Sequence, residues 1–300
     1  GKQAFGKSVL EALLERGDNV IAAYCAPEKG GRIDPLREAA ELKSLPVYQP
    51  TSYRNKPEVW EAFAALKPDL CIMAYVTLFV PEEMLNIPTY GTIQYHPSLL
   101  PRHRGPSSIN WPIIQGDTRT GLTIFWPDNG LDTGPILLQK EVDITDTDTL
   151  GSLYFDRLYP LGVTALLEAV DFVRQGTAPK IPQDESAATY ESWCRKEQAV
   201  IDWQQPLATV WNLIRGTDPQ PGAWSTLDGQ EVQIFDAAKI VGETGRLPGE
   251  VTVVTAEQCR IAVAGGEIAV RRVRCAGGPK IRIDQFAQQV ALQPGRRFGT

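Results

Sequence analysis

Two residues near the middle of the chain have the types and settings for proton chemistry. His96 ends the β-rich run Gly91-Thr-Ile-Gln-Tyr-His96 and precedes the loop Pro97-Ser98-Leu99-Leu100-Pro101-Arg-His-Arg-Gly105. Asp132 follows a second such run, Gly121-Leu-Thr-Ile-Phe-Trp126, within Asp128-Asn-Gly130-Leu-Asp132-Thr-Gly134. An imidazole gives or takes a proton near neutral pH, and a carboxylate between two glycines sits where the backbone can turn tightly. Each alone has a plain explanation. A single histidine is more often structural than catalytic, and an aspartate in a Gly-rich turn commonly just satisfies that turn. The pair, at matching ends of two apolar runs, is far more specific than either.

The elements around them must bring the two together. A helix-like stretch, 107–115, separates the runs. Strand–helix–strand is the crossover unit of a parallel sheet, so both residues are expected at one sheet edge, in the crevice beyond the strand ends where α/β folds place their chemistry. The preceding segments fit such a fold. Residues 19–24 read as a strand, 35–43 as a short helix, and 57–66 as a helix with Trp60, Phe63 and Leu66 on one face. Residues 69–75 are the near-continuous apolar strand of a buried parallel sheet, and Pro81 opens the next helix. Residues 149–175 carry a long amphipathic helix pattern, and 176–188, rich in Pro and polar residues, read as an exit linker. From 206 the character changes. One helix, 207–215, precedes short β-like runs at 231–235, 249–254, 260–263 and 267–273, which predict a small barrel.

Composition narrows the function classes. Three hundred residues suit one large or two modest domains. The five cysteines are scattered, with no Cys-x-x-Cys pair or Cys/His cluster, so neither a disulfide framework nor a metal site is expected. A reducing, cytoplasmic setting follows, and no run approaches the roughly 18–20 apolar residues of a membrane span. Asp143, Asp146 and Asp148 lack calcium-loop spacing and read as a solvated turn. The net charge of −6 disfavours a generic nucleic-acid binder. Residues 206–300, however, hold eleven Lys/Arg against nine Asp/Glu, with Arg271, Arg272, Arg274, Lys280 and Arg282 clustered. Such a cluster is compatible with phosphate contacts and equally with a solvated strand edge. Gly1-Lys-Gln-Ala-Phe-Gly6-Lys7-Ser8 matches the P-loop expression letter for letter. No strand precedes it, and Phe5, Val9, Leu10, Leu13 and Leu14 recur at helical spacing, so a helix rather than a nucleotide site is expected. Lys29-Gly-Gly-Arg32 reads as a solvated loop.

The pattern His96-Pro-Ser98-Leu99-Leu100-Pro101-x-x-x-Gly105, followed by Asp128-x-Gly130-Leu-Asp132-Thr-Gly134, resembles the signature of the formyltransferase family that uses 10-formyltetrahydrofolate. The wording of the chain is similar to two branches of it, the methionyl-tRNA formyltransferases and the hydrolase domain of 10-formyltetrahydrofolate dehydrogenase, and the likeness covers nearly the whole chain. It implies a Rossmann-like α/β catalytic domain over 1–180, a linker over 181–205 and an OB-like β-barrel over 206–300. Family members open with a short apolar strand ahead of the Gly-containing turn, so the chain is expected to start just past that strand. The implied reaction is attack on the formyl carbon, by an amine in a transferase, with methionyl-tRNA first among the acceptors, or by water in a hydrolase; a non-catalytic folate- or RNA-binding protein ranks after both. The implied roles make His96 the oxyanion donor and proton shuttle and Asp132 its relay. Leu78, Phe79 and Val80, with Ser98-Leu99-Leu100-Pro101, form the folate contacts; the cofactor is 10-formyltetrahydrofolate, without metal. Initiator tRNA is the implied partner of the C-terminal domain. Gln94 departs from the pattern, because the family's transferases carry Asn there and the hydrolase domain an aliphatic residue. A Gln keeps the carboxamide as a candidate catalytic donor but moves it by one methylene.

Overall fold

The computed structural model describes residues 1–28 and 30–299; Lys29, in the Gly-rich loop, lies outside them. In chain order the elements are α1 (Gln3–Glu15), β1 (Ala23–Tyr24), α2 (Pro35–Leu42), β2 (Val47–Tyr48), α3 (Pro57–Ala65), β3 (Cys71–Met73), α4 (Glu82–Leu85) and β4 (Thr92–His96). There follow α5 (Asn110–Gln115), β5 (Arg119–Phe125), β6 (Ile136–Asp143), α6 (Leu150–Ser152), α7 (Tyr159–Arg174) and α8 (Leu207–Gly216). The last third runs β7 (Trp224–Leu227), β8 (Gln230–Val241), β9 (Val251–Val254), β10 (Cys259–Val263), β11 (Gly266–Cys275), β12 (Ile281–Arg282) and α9 (Ile283–Val290). The chain forms two compact units, one of residues 1–105, 121–142 and 155–190, the other of 106–120, 143–154 and 191–300.

The first unit is the expected α/β body. β1 pairs with β2 in parallel, and β3 with β4 in parallel. β3-β4-β5-β6 form one sheet in that order. Ile93, Tyr95, Leu122, Ile124 and Leu137 from this sheet pack with Phe5, Val9 and Leu13 of α1 and Ala165, Leu166 and Ala169 of α7. Alternation along β4 explains the choice, since residues two apart share a face. Gly162 lets α7 come close, for a Cβ there would stand 2.6 Å from the Tyr95 ring and 3.0 Å from the Phe5 ring. α1 takes in Lys7 and Ser8 and begins at Gln3, so the P-loop look-alike is an ordinary helix start.

The expected parallel crossover between the two chemical runs is not formed. β4 and β5 are antiparallel, with His96 opposite Thr123 and Gln94 opposite Phe125. The reason lies in the helix between them. α5 has only six residues and belongs to the second unit. It packs with α8 inside the second unit, where Asn110 Nδ2 donates to the Gly216 carbonyl at 2.9 Å. With the connecting helix spent there, β5 returns antiparallel to β4. The helix expected over 149–175 is interrupted as well. Residues 153–158 form a π-helical stretch ahead of α7, where Pro160 supplies no N–H to the helical ladder.

In the second unit the β-like runs are strands, in the order β7-β8-β11-β10-β9, with β12 paired to β11. The pairs β7–β8, β8–β11, β11–β10, β10–β9 and β11–β12 are all antiparallel. Between β8 and β11 the ladder is interrupted at Asp236 and Arg271 with the register unchanged on either side, and Asp236 there takes a left-handed φ of 48°. Val232, Ile234, Ile261, Ile268, Val270 and Phe286 fill the core beneath. No helix among the described residues is long and apolar enough to cross a membrane.

Candidate active site

β4 delivers His96 at its C-terminal end, and Gln94, two residues earlier, shares its face. His96 is 6 % exposed. Its Nε2 lies 2.9 Å from the His103 carbonyl oxygen. A carbonyl only accepts, so Nε2 holds a proton there and Nδ1 is the ring position left for exchange. Nδ1 faces Asp132 Oδ2 at 3.7 Å, longer than a direct hydrogen bond. The half-buried carboxamide of Gln94 has no hydrogen-bond partner among the described residues.

Asp132 reaches His96 although it lies beyond the far end of β5, because the loop between β5 and β6 folds back. Several contacts shape that loop. Asp128 Oδ1 accepts from the Gly130 N–H at 2.9 Å and the Thr133 hydroxyl at 2.6 Å. Asn129 exchanges two hydrogen bonds with Glu82 at the start of α4. The Trp126 N–H donates to the Pro135 carbonyl at 2.9 Å, closing the loop's neck. Gly134 is required there, since a Cβ would stand 1.7 Å from the Trp126 carbonyl oxygen. Asp132 itself has a φ of 56°, a left-handed conformation that aspartate tolerates better than most residues. Its Oδ2 accepts from the Gly105 N–H at 2.8 Å. The chain just past His96 therefore holds both members of the pair, His103 by its carbonyl and Gly105 by its amide.

The loop between them is internally bonded. Ser98 is fully buried, and its hydroxyl donates to the Arg102 carbonyl at 2.7 Å. Leu100, 2 % exposed, donates its N–H to Thr123 Oγ1 at 3.1 Å and accepts from Gln139 Nε2 at 2.8 Å through its carbonyl. The Leu100–Pro101 peptide bond is cis. Leu99 and Pro101 are half-buried. Leu78, Phe79 and Val80 follow β3, parallel to β4 and next to it. Leu78 and Val80 pack against Tyr53, Phe63 and Met84, and Leu78 lines a shallow hollow with Tyr24, Tyr53 and Tyr75. Phe79 stays exposed with the Arg54 guanidinium 4.4 Å above its ring. Among the described residues no group of three His, Cys, Asp or Glu could hold a metal ion.

Sequence reasoning passed over the support behind Asp132. Arg104 is fully buried and its guanidinium donates to Gln183 and Glu185. Gln183 in turn donates to the carbonyls of Asp132 and Gly134 at 2.8 and 2.7 Å. Residues 181–190, read as linker, belong to the first unit; 191–205 belong to the second, where Val200 bridges to Trp224. The available signal was the second arginine of Arg102-His-Arg104, in a loop otherwise largely apolar, which a buried position forces to find carboxylate or amide partners.

Residues 1–170 match the family described as formyl transferase, and residues 194–291 its C-terminal domain. The methionyl-tRNA formyltransferase of Syntrophus aciditrophicus is 35% identical over 305 residues, covering 100% of this chain and 97% of that protein. The cytosolic 10-formyltetrahydrofolate dehydrogenase of Xenopus tropicalis is 37% identical over 309 residues, 98% of this chain. The chain spans about a third (34%) of that dehydrogenase's length. Among solved structures, an N-formyltransferase from Helicobacter canadensis, in complex with folinic acid and dTDP-3-aminofucose, superposes with a TM-score of 0.68 at 18% identity, with 94% of this chain and 97% of that one covered. At that identity the likeness is one of fold.

Proposed function

The chain belongs to the formyl transferase family, whose formyl donor is 10-formyltetrahydrofolate, and from that premise we propose that it transfers this formyl group to an amine, with methionyl-tRNA as the acceptor. The observation that carries the reading is the unpartnered carboxamide of Gln94 on the strand face of His96. The amine nitrogen attacks the formyl carbon, a C–N bond forms, and the carbonyl oxygen becomes an oxyanion. A preorganised donor aimed at that oxygen stabilises the step, and Gln94 Nε2 is free to be that donor. The amine proton passes to His96 Nδ1, steadied by Asp132. As the bond from carbon to the folate nitrogen breaks, the leaving nitrogen takes the proton back. In this reading Leu78, Phe79, Val80, Leu99 and Pro101 supply the apolar wall for the folate ring, while Ser98 and Leu100 hold the loop's shape. The C-terminal sheet serves as an OB-like barrel presenting Arg271, Arg272 and Arg282, which line a cavity of about 450 Å³, to initiator tRNA. The setting is translation initiation in the cytoplasm.

A second reading has its own support, the 37% identity to a 10-formyltetrahydrofolate dehydrogenase. Water then replaces the amine, and the products are tetrahydrofolate and formate. Turnover of 10-formyltetrahydrofolate, measured with and without methionyl initiator tRNA, tests both. Acceptor-dependent turnover supports transfer; equal rates without acceptor support hydrolysis; no formyl loss in either arm refutes both.

A further inference from the structure

We infer that Gln183, clamped by Arg104, is a positioning residue that sets the Asp132 carboxylate against His96; the inference rests on the acid–base role proposed above for that pair. The bonding of Gln183 leaves its amide no choice of orientation. Arg104 can only donate, and its Nε and Nη2 both reach Gln183 Oε1, at 3.1 and 2.8 Å. The amide nitrogen must then face the other way, where it spends both protons on backbone, on Asp132 O at 2.8 Å and Gly134 O at 2.7 Å. Those carbonyls bracket the turn that carries the carboxylate. A non-glycine residue at positive φ is strained and persists only where its surroundings over-determine it. At Asp132 the surroundings are Gln183 on the backbone and Gly105 on the side chain.

Arg104 is itself fixed. Glu185 accepts from its Nη1 at 2.9 Å and its Nη2 at 2.6 Å, and the Tyr190 ring lies 5.1 Å from the guanidinium carbon with its hydroxyl bonded to Nη1. The Glu185 carboxylate raises the Arg104 pKa and has its own lowered in return. The same strap reaches the other partner. Thr189 accepts from the Arg104 N–H at 3.0 Å and, through its hydroxyl, from the His103 N–H at 2.8 Å. His103 then holds His96 Nε2. Residues 183–190 thus set the mutual geometry of two groups on different loops, and a buried arginine joins the two halves.

Gln183→Glu tests the idea with little change of shape. It keeps the acceptor for Arg104 and removes the two N–H donors. A misplacement of about an ångström typically costs on the order of 100-fold, so kcat for formyl release should fall by about that factor, with KM for the folate within about two-fold. The protein has two histidines, so the ring C–H signals of His96 are readily assigned by NMR, with His103→Gln as the reference. In Gln183→Glu the His96 signals should move, and in the same direction as in Asp132→Asn. Unchanged kcat with unmoved His96 signals overturns the inference, and so does a loss confined to KM. The NMR arm decides even if the wild type releases no formyl group, a result that would sink the functional reading alone. Should Gln183→Glu fail to fold, Glu185→Gln serves instead, because Glu185 is mostly exposed, its side chain 67% accessible. It loosens Arg104 and should displace the same signals in the same direction by a smaller amount; no displacement overturns the inference.

Discussion

Nδ1 of His96 lies 3.7 Å from Oδ2 of Asp132, and neither group reaches that position by its own strand alone. One stretch of chain, residues 103–105, bonds His96 at one end and Asp132 at the other. The pair is therefore a single geometric object, and its members should not contribute independently to catalysis.

That relation sets the first expectation. His96→Ala and Asp132→Asn should each lower turnover of 10-formyltetrahydrofolate by about 10²–10⁴, the usual contribution of a positioned acid or base. Because the two act as a unit, the double variant should lose little more than either single. Multiplicative losses in single-turnover assays would show two separate functions instead. Asp132→Asn preserves the shape of the acceptor for the Gly105 N–H and should unfold as cooperatively as the wild type.

Substitutions at Gln94 should separate transfer from hydrolysis. If its carboxamide donates to the oxyanion, Gln94→Leu should lose about 10²–10³ in kcat, and only in acceptor-dependent turnover. Gln94→Asn should retain or raise transfer. Near-identical, acceptor-independent rates for wild type and both variants would reject transfer in favour of hydrolysis.

Lys7 and Ser8 lie within α1, and Lys7 pairs with Glu11 one turn on at 3.8 Å. The amides of a helix interior are committed to the helix and cannot cradle phosphates. Calorimetry should detect no Mg²⁺-dependent ATP or GTP binding. Micromolar binding that disappears in Lys7→Ala would contradict the structure.

Gly162 sets two effects against each other. Alanine in a helix interior is favoured over glycine by about 1 kcal/mol. Against that stands a Cβ 2.6 Å from the Tyr95 ring, in a core where overpacking costs typically 1–3 kcal/mol. Phe5 and Tyr95 pack as tilted rings with centroids 4.5 Å apart, which limits the room for the Tyr95 ring to retreat. Gly162→Ala should therefore destabilise, read as a lower denaturation midpoint in urea; a raised midpoint would mean that the rings give way.

Acid stability should depend on Glu28. Its pKa falls from 4.5 to about 2, above all because Gln49 donates to it, with Nε2 3.0 Å from Oε2. A carboxylate depressed in the folded state stabilises above its unfolded pKa, and that contribution is lost as pH falls through the folded value. The window is thus pH 4.5 down to about 2. Glu28→Gln should flatten the pH dependence of the melting temperature there and leave the neutral-pH slope unchanged. An unaltered acid limb would show that the Gln49 bond does not persist in solution.

Local pattern carried much of this molecule. The apolar runs around Ile93 and Leu122 read as strands because each is a short β-rich run that ends in a loop dense in Pro, Gly and polar residues, and His96 and Asp132 stood out at their ends. The antiparallel return of β5 was not legible, since it depends on where α5 packs, and α5 presents its apolar side to α8, nearly a hundred residues later. The strand expected over 19–24 is paired only at Ala23 and Tyr24, because pairing is a property of the neighbour as well as of the segment. Arg104 and Gln183 escaped notice for a related reason. A Pro-rich polar stretch has the composition of a linker, and nothing local reveals that its amide lands on two carbonyls beneath an aspartate.

The bonds from residues 183–190 also bear on how such a body could be exchanged among longer polypeptides. A segment cut after α7 would keep the sheet, both chemical loops and the helical cover, and would look whole by its hydrophobic content. It would lack the acceptors for Arg104, leaving a buried cation unmatched, and Asp132 would lose the amide beneath it. Recombination that respects the sheet but ignores this tail should yield folded, inert hybrids. The heritable module is longer than the layer of strands and helices that gives it its shape.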